Sequence, residues 1–138
     1  MLVASHSGKA LDVPNATFNE GERIVQWTKN RRFNQRWAWE PSGPGYMIRS
    51  LLTGQCLDIA GEATEGGSKV VQWPKTGGTN QIWAPEPSGP GTYKIRSLHA
   101  NGMYLCIQGQ DVNDGGKLEI WDEDNPSMNW KIEGYVPK

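Results

Sequence analysis

Cysteine is scarce in this sequence. Cys56 and Cys106 are its two cysteines, too few for a disulfide framework, and they fit two buried thiols at least as well as one bridge. Charge of one sign is missing too. Lys and Arg total 14 against 15 Asp and Glu, a net charge of -1, so no long-range field favours nucleic acid or an anionic membrane and the expected partner is neutral. No stretch approaches the roughly 18 apolar residues of a membrane span. Met1-Leu2-Val3-Ala4-Ser5-His6 has neither the charged start nor the apolar stretch of a signal peptide. A chain that is cytoplasmic as synthesised is therefore expected, with any release by a non-classical route. The one acidic cluster, Asp122-Glu123-Asp124, reads as a solvated turn, and neither a metal nor a cofactor is expected.

What is abundant is tryptophan, glycine and proline: 7 Trp, 17 Gly and 9 Pro in 138 residues. Gly and Pro interrupt the chain too often for a long helical period, which leaves short strands and turns. The length suits one domain, 1–138.

The chain repeats itself. Glu40-Pro41-Ser42-Gly43-Pro44-Gly45 recurs letter for letter from 86 to 91, an offset of 46, and Ile48-Arg49-Ser50 recurs as Ile95-Arg96-Ser97, an offset of 47. Ahead of each such turn come Gly8, Leu11-Asp12-Val13, Gly21, Val25-Gln26-Trp27 and Asn34-Gln35-Arg36-Trp37. Their second copy is Gly54, Leu57-Asp58-Ile59, Gly67, Val71-Gln72-Trp73 and Asn80-Gln81-Ile82-Trp83. A worn third copy reads Gly102, Leu105-Cys106-Ile107, Gly115, Glu119-Ile120-Trp121 and Ser127-Met128-Asn129-Trp130. The step from Asp12 to Trp27, from Asp58 to Trp73 and from Cys106 to Trp121 is 15 each time. Three units, approximately 1–46, 47–93 and 94–138, each with four short β runs, predict an all-β fold of twelve strands in a closed, pseudo-threefold arrangement. Leu2 occupies the register of Ile48, so the first strand is expected almost at the N-terminus, paired with the chain's end.

The phased Leu-Asp-Val/Ile, the Trp fifteen residues on, and the Gln-x-Trp of Gln35 to Trp37 and Gln81 to Trp83 resemble the ricin B-type, or R-type, lectin domains, which are β-trefoils. The resemblance spans all three repeats and in size is nearest to small stand-alone fungal lectins. It implies a non-catalytic carbohydrate-binding protein, an agglutinin reading terminal galactose or N-acetylgalactosamine on glycoproteins or glycolipids, often as a homodimer. The second Cys of disulfide-bridged relatives is absent, since Pro74 and Lys75 follow Trp73.

A neutral sugar presents adjacent hydroxyls and one apolar face, so a shallow site needs a fixed acceptor, an amide and a flat aromatic wall. On the resemblance, Asp12 and Asp58 accept from two hydroxyls, Trp27 and Trp73 stack on the C–H face, Asn34 and Asn80 offer amides to a ring hydroxyl, and Gln35 and Gln81 brace the Asp from behind. The plainer readings are turn capping for the Asn, solvation for the Asp and packing for the Trp. Trp37, Trp83 and Trp130 are expected in the core. Where plant-type members carry Gln two residues before the stacking aromatic, this chain has Val25 and Val71, with Gln26 and Gln72 on the other strand face. In the third repeat Cys106 and Ser127-Met128 replace the acceptor and the amides, which leaves a dead or weakened site with Trp121 and Glu119 as its candidates.

Three other readings compete. A glycosidase needs two carboxylates about 5 to 9.5 Å apart, whereas each of the first two repeats supplies one Asp. A protein-binding trefoil of the protease-inhibitor type would use an exposed loop, for which Asn30-Arg31-Arg32-Phe33 is the candidate. The third is the targeting module of a larger enzyme or toxin.

Overall fold

The computed structural model describes residues 1–134; residues 135–138, the end of the expected third repeat, lie outside the described residues. The described residues form twelve strands: β1 (Leu2–Ala4), β2 (Ala10–Asp12), β3 (Val25–Trp27), β4 (Trp37–Ser42), β5 (Gly45–Ser50), β6 (Cys56–Ile59), β7 (Val70–Trp73), β8 (Trp83–Gly89), β9 (Thr92–Ser97), β10 (Tyr104–Ile107), β11 (Leu118–Trp121) and β12 (Trp130–Ile132). This is the expected β-trefoil. Strands β4, β5, β8, β9, β12 and β1 follow one another edge to edge, and hairpins β2–β3, β6–β7 and β10–β11 hang from them. Leu2, Val3 and Ala4 pair with Ile132, Lys131 and Trp130, which ties the chain's start to its end as the register of Leu2 implied.

The core is built from threefold sets in which each repeat supplies the same kind of side chain. Leu2, Ile48 and Ile95 form one set, Leu11, Leu57 and Leu105 a second, and Ile24, Val70 and Leu118 a third; all nine are fully buried. The last set marks the pseudo-threefold axis, because Leu118 N–H donates to Ile24 O and Ile24 N–H to Val70 O. Trp37, Trp83 and Trp130 are core residues, as expected, and their indole N–H groups donate to the carbonyls of Leu11, Leu57 and Leu105 at 3.2, 3.1 and 3.2 Å. A buried indole needs such a partner for its one donor, and the repeated leucine strand supplies it.

The change of repeat offset from 46 to 47 has a structural cause. In the β4–β5 hairpin Ser42 faces Gly45 across Gly43-Pro44, with Gly43 at φ +54. The same letters in β8–β9 turn one residue later, at Pro90-Gly91, with Gly91 carrying the positive φ of +72. The register slips between Pro87 and Gly89, so Ser88 is a β-bulge that absorbs the inserted residue. Identical sequence thus makes two different turns, and what decides between them is strand register.

Gly45 is fixed by close approach. A Cβ there would lie 2.6 Å from the Trp83 carbonyl oxygen and 2.7 Å from Leu98 Cδ1. Gly45→Ala is expected to lower the unfolding free energy by about 1–3 kcal/mol, read as a lower guanidinium midpoint.

Candidate functional site

Three cavities open at equivalent places, one per repeat. The first, about 490 Å³, is lined by Asp12, Pro14, Asn15, Val25, Trp27, Asn30, Asn34 and Gly115. The second, about 500 Å³, is lined by Asp58, Ala60, Gly61, Glu62, Val71, Trp73, Thr76, Asn80 and Gly21. The third holds about 240 Å³ between Cys106, Ile107, Gly109, Gln110, Glu119, Trp121 and Asn125. The expected Asp, Trp and Asn of the first two repeats thus line one cavity each, as Glu119 and Trp121 do in the third.

Each is placed by local structure. Asp12 pairs with Val25 across β2–β3 and Asp58 with Val71 across β6–β7, so both aspartates stand on hairpins beside the strand that ends in the exposed Trp. Trp27 and Trp73 are 45% and 40% exposed, which for so large an apolar side chain separates them from the core tryptophans and leaves a ring face open. The short 3₁₀ turns Phe33–Gln35 and Thr79–Gln81 bring the adjacent Asn and Gln under the aspartate.

The glutamines are braces, not contacts. Gln35 and Gln81 are fully buried, out of reach of any ligand, and their amides donate to Asp12 Oδ2 and Asp58 Oδ2 at 2.9 Å each. The same Nε2 atoms donate to Thr28 O and Pro74 O, while the Oε1 atoms accept from the backbone N–H of Asn30 and of Thr76. One side chain thus ties the aspartate to the loop that follows the exposed Trp. The asparagine amide nitrogens already have partners within the protein. Asn34 Nδ2 donates to Val13 O at 3.1 Å and to Asp12 Oδ1 at 3.3 Å, and Asn80 Nδ2 to Ile59 O at 3.2 Å. These amide nitrogens hold the protein together, so what each Asn leaves for a ligand is its carbonyl oxygen.

Burial pushes the Asp12 and Asp58 carboxyls above an ordinary aspartate's 3.8, against the opposing pull of the Gln and Asn amides. A carboxylate held in a half-dry pocket with lone pairs to spare is poised to accept from hydroxyls.

The third repeat differs in kind. Cys106 is a buried free thiol pushed up to about 12, neutral at physiological pH. Ser127 stands where the Asn should be and is spent on the β10 backbone, accepting from Ile107 N–H, while Met128 fills the Gln position. Yet Glu119, paired across β10–β11 with Cys106, puts a carboxylate into this cavity from the opposite strand, with burial raising it and Arg23 opposing that rise. Trp121 is 37% exposed beside it.

Sequence reasoning missed Asn30, Thr76, Asn125 and Gln110 as lining residues. Asn30 and Thr76 each lie three residues past the exposed Trp, a phase the repeat itself carries. It also missed that Gly115 and Gly21 serve the cavities of neighbouring repeats. Among the described residues no group of three His, Cys, Asp or Glu is placed to hold a metal ion, and no helix is long and apolar enough to cross a membrane.

No curated protein matches the sequence. Among solved structures, a designed threefold-symmetric protein, ThreeFoil, is 32% identical over 94% of both chains with a TM-score of 0.90. The exo-β-1,3-galactanase 1,3Gal43A from Clostridium thermocellum is 33% identical over 94% of this chain, with a TM-score of 0.90; the chain spans 28% of that enzyme's length. The Macrolepiota procera ricin B-like lectin, solved with lactose, shares the fold at 18% identity and a TM-score of 0.80, over 94% of this chain and 90% of that one. The model of the ricin-type β-trefoil lectin domain-like family matches residues 1–46 and 33–121. With the threefold core, the two phased Gln-x-Trp motifs, the third phased Trp and that match together, the chain belongs to the ricin-type β-trefoil lectin domain-like family.

Proposed function

We propose that this protein binds terminal galactose or N-acetylgalactosamine without catalysis, through the cavities of its first two repeats. One observation carries the reading: the same braced carboxylate, capping asparagine and exposed tryptophan are built twice, around cavities of nearly equal size. Asp12 and Asp58 accept from two adjacent hydroxyls, and Trp27 and Trp73 cover the sugar's C–H face. The lactose held by a lectin of the same fold and the galactan-cleaving enzyme that carries a similar unit both point to galactose as the sugar.

The two aspartates open into different cavities, so they cannot flank one glycosidic bond as hydrolysis requires. The protease-inhibitor reading weakens as well. Arg31 sits at φ +62 and Phe33 enters a 3₁₀ turn, so Arg32 lacks the extended neighbours a protease would pair with. We place the chain as one sugar-binding unit whose two sites act together on multivalent glycans, with avidity gains of ~10² to 10⁴ over a single shallow site.

Titration with lactose and with N-acetylgalactosamine tests the reading, with two equivalents bound as the expected result and no binding of either as the result that sinks it. Affinity is also expected to fall on acidification. Only the ionised carboxylate accepts from both hydroxyls, and because the folded carboxyls titrate above 3.8, the loss begins at higher pH than for an ordinary aspartate. Calorimetry at a series of pH values checks the midpoint.

A further inference from the structure

Each of the first two cavities borrows a wall. Gly21, from the first repeat, lines the second cavity, and a Cβ on it would lie 3.7 Å from Trp73 Cζ3. Gly115, from the third repeat, lines the first cavity. These loops cross a repeat boundary, and a buried amide pins each of them.

Gln72 immediately precedes Trp73 and, by strand alternation, points away from the cavity. It is fully buried. Its Nε2 donates to Thr17 O at 3.0 Å and Asn19 O at 2.9 Å, and its Oε1 accepts from Thr53 Oγ1 at 3.0 Å. Backbone bonds from Gly21 N–H to Gln72 O and from Gln72 N–H to Glu22 O complete the joint. Gln26 repeats it: Nε2 donates to Asp111 O at 2.7 Å and Asn113 O at 3.0 Å, Oε1 accepts from Ser7 Oγ at 2.8 Å, and the backbone pairs with Gly115 and Gly116. The fit is close enough that a Cβ on Gly116 would lie 2.7 Å from Gln26 Nε2.

The third boundary does without. Ile120 takes the Gln place and the buried Ala100 that of Ser7 and Thr53. The loop there docks without an amide, through Gly67 N–H to Ile120 O, Ile120 N–H to Ser68 O and His99 Nε2 to Glu62 O, while Ser68 Oγ satisfies the Glu65 carbonyl within the loop. So the fold tolerates an apolar joint, and replacing both hydrogen-bonding partners together is the substitution such a joint accepts. The amide appears at the two boundaries whose cavities keep Asp, Gln and Asn, and is missing where the cavity is half as large and the aspartate is gone.

Backbone pairing alone brings the loop to the strand; an amide with both donors and its acceptor engaged also fixes how deep the loop sits. That depth decides where Gly21 stands against the Trp73 ring and where Gly115 stands in the first cavity. We infer that Gln26 and Gln72 are positioning residues of the first and second sugar sites, acting on the neighbouring repeat's loop and, through it, on the stacking tryptophan. The inference rests on the sugar reading above. Each site is then the joint property of two repeats, with the first cavity depending on the third repeat's loop and the second on the first repeat's.

The test is lactose titration followed by the indole N–H signals of Trp27 and Trp73, which report the two sites separately. The double variant T53A/Q72I installs the pair the chain itself uses at its third boundary, so it is expected to fold cooperatively. Lactose affinity read at Trp73 should drop about tenfold, with that at Trp27 unchanged; S7A/Q26I should do the reverse. Affinity at Trp73 within about twofold of wild type, or equal weakening at both tryptophans, would overturn the positioning role. Should the double variant not fold, Gln72→Met, close to Gln in length, is read the same way. A wild type showing no lactose shift at either tryptophan overturns the sugar reading itself, and this inference with it.

Discussion

Replacing Asp12 and Asp58 together by asparagine is expected to abolish galactose-type binding, with each single change removing one of two equivalents. The variant amide nearly keeps the shape and still offers Gln35 or Gln81 an oxygen to donate to, so the brace survives. What is lost is an acceptor pair for two hydroxyls. A hydrogen bond to a charged group contributes about 1.5–3 kcal/mol, so losing one such acceptor site weakens binding by ~10- to 100-fold or more. The fold should not suffer. Both carboxyls have folded-state values raised above 3.8, chiefly by burial, so the native state holds their protons more tightly than the unfolded chain does. Their contribution to stability is present below the unfolded value and lost as pH rises through the folded one, which makes the ionised pair a cost at neutral pH. Asn removes that cost. Lost binding beside an equal or higher midpoint of unfolding is therefore the signature of residues kept for function. A double variant that still binds lactose with wild-type affinity would place the sugar elsewhere.

Trp83→Ala carries the largest expected stability loss. The side chain is fully buried, central to the core, and its indole N–H holds the Leu57 carbonyl at 3.1 Å. Emptying that volume costs about 3–5 kcal/mol, and the stranded carbonyl adds to it, against a total stability of about 5–15 kcal/mol for a domain. Trp83→Phe keeps most of the volume and isolates the lost hydrogen bond, about 1–3 kcal/mol. Guanidinium unfolding followed by circular dichroism measures both. Trp130, equally buried, should behave alike, while Trp37, at 7% exposure, should cost less. Wild-type stability in Trp83→Ala would contradict the threefold core described above.

The threefold plan was legible from letters alone because every repeat must bury the same faces against the same axis. That demand recurs at Leu11, Leu57 and Leu105 and at Trp37, Trp83 and Trp130, and spacing reveals it without coordinates. The placement of Asp and the Trp fifteen residues on at one site was equally readable, since both ride one hairpin. Other features were not. That the Asn34 and Asn80 amides are spent on backbone carbonyls depends on where a 3₁₀ turn sets the side chain. That one run of letters turns at Gly43-Pro44 and again, one residue later, at Pro90-Gly91 depends on strand register. Glu119 shows the limit most plainly: its residue type and position were in view, but that it supplies from one strand the carboxylate that Cys106 lacks on the other became visible only across the β10–β11 pair. Contacts within a hairpin follow from spacing along the chain, whereas the walls that Gly21 and Gly115 lend to other repeats' cavities come from chain closure, which brings together residues no local period connects.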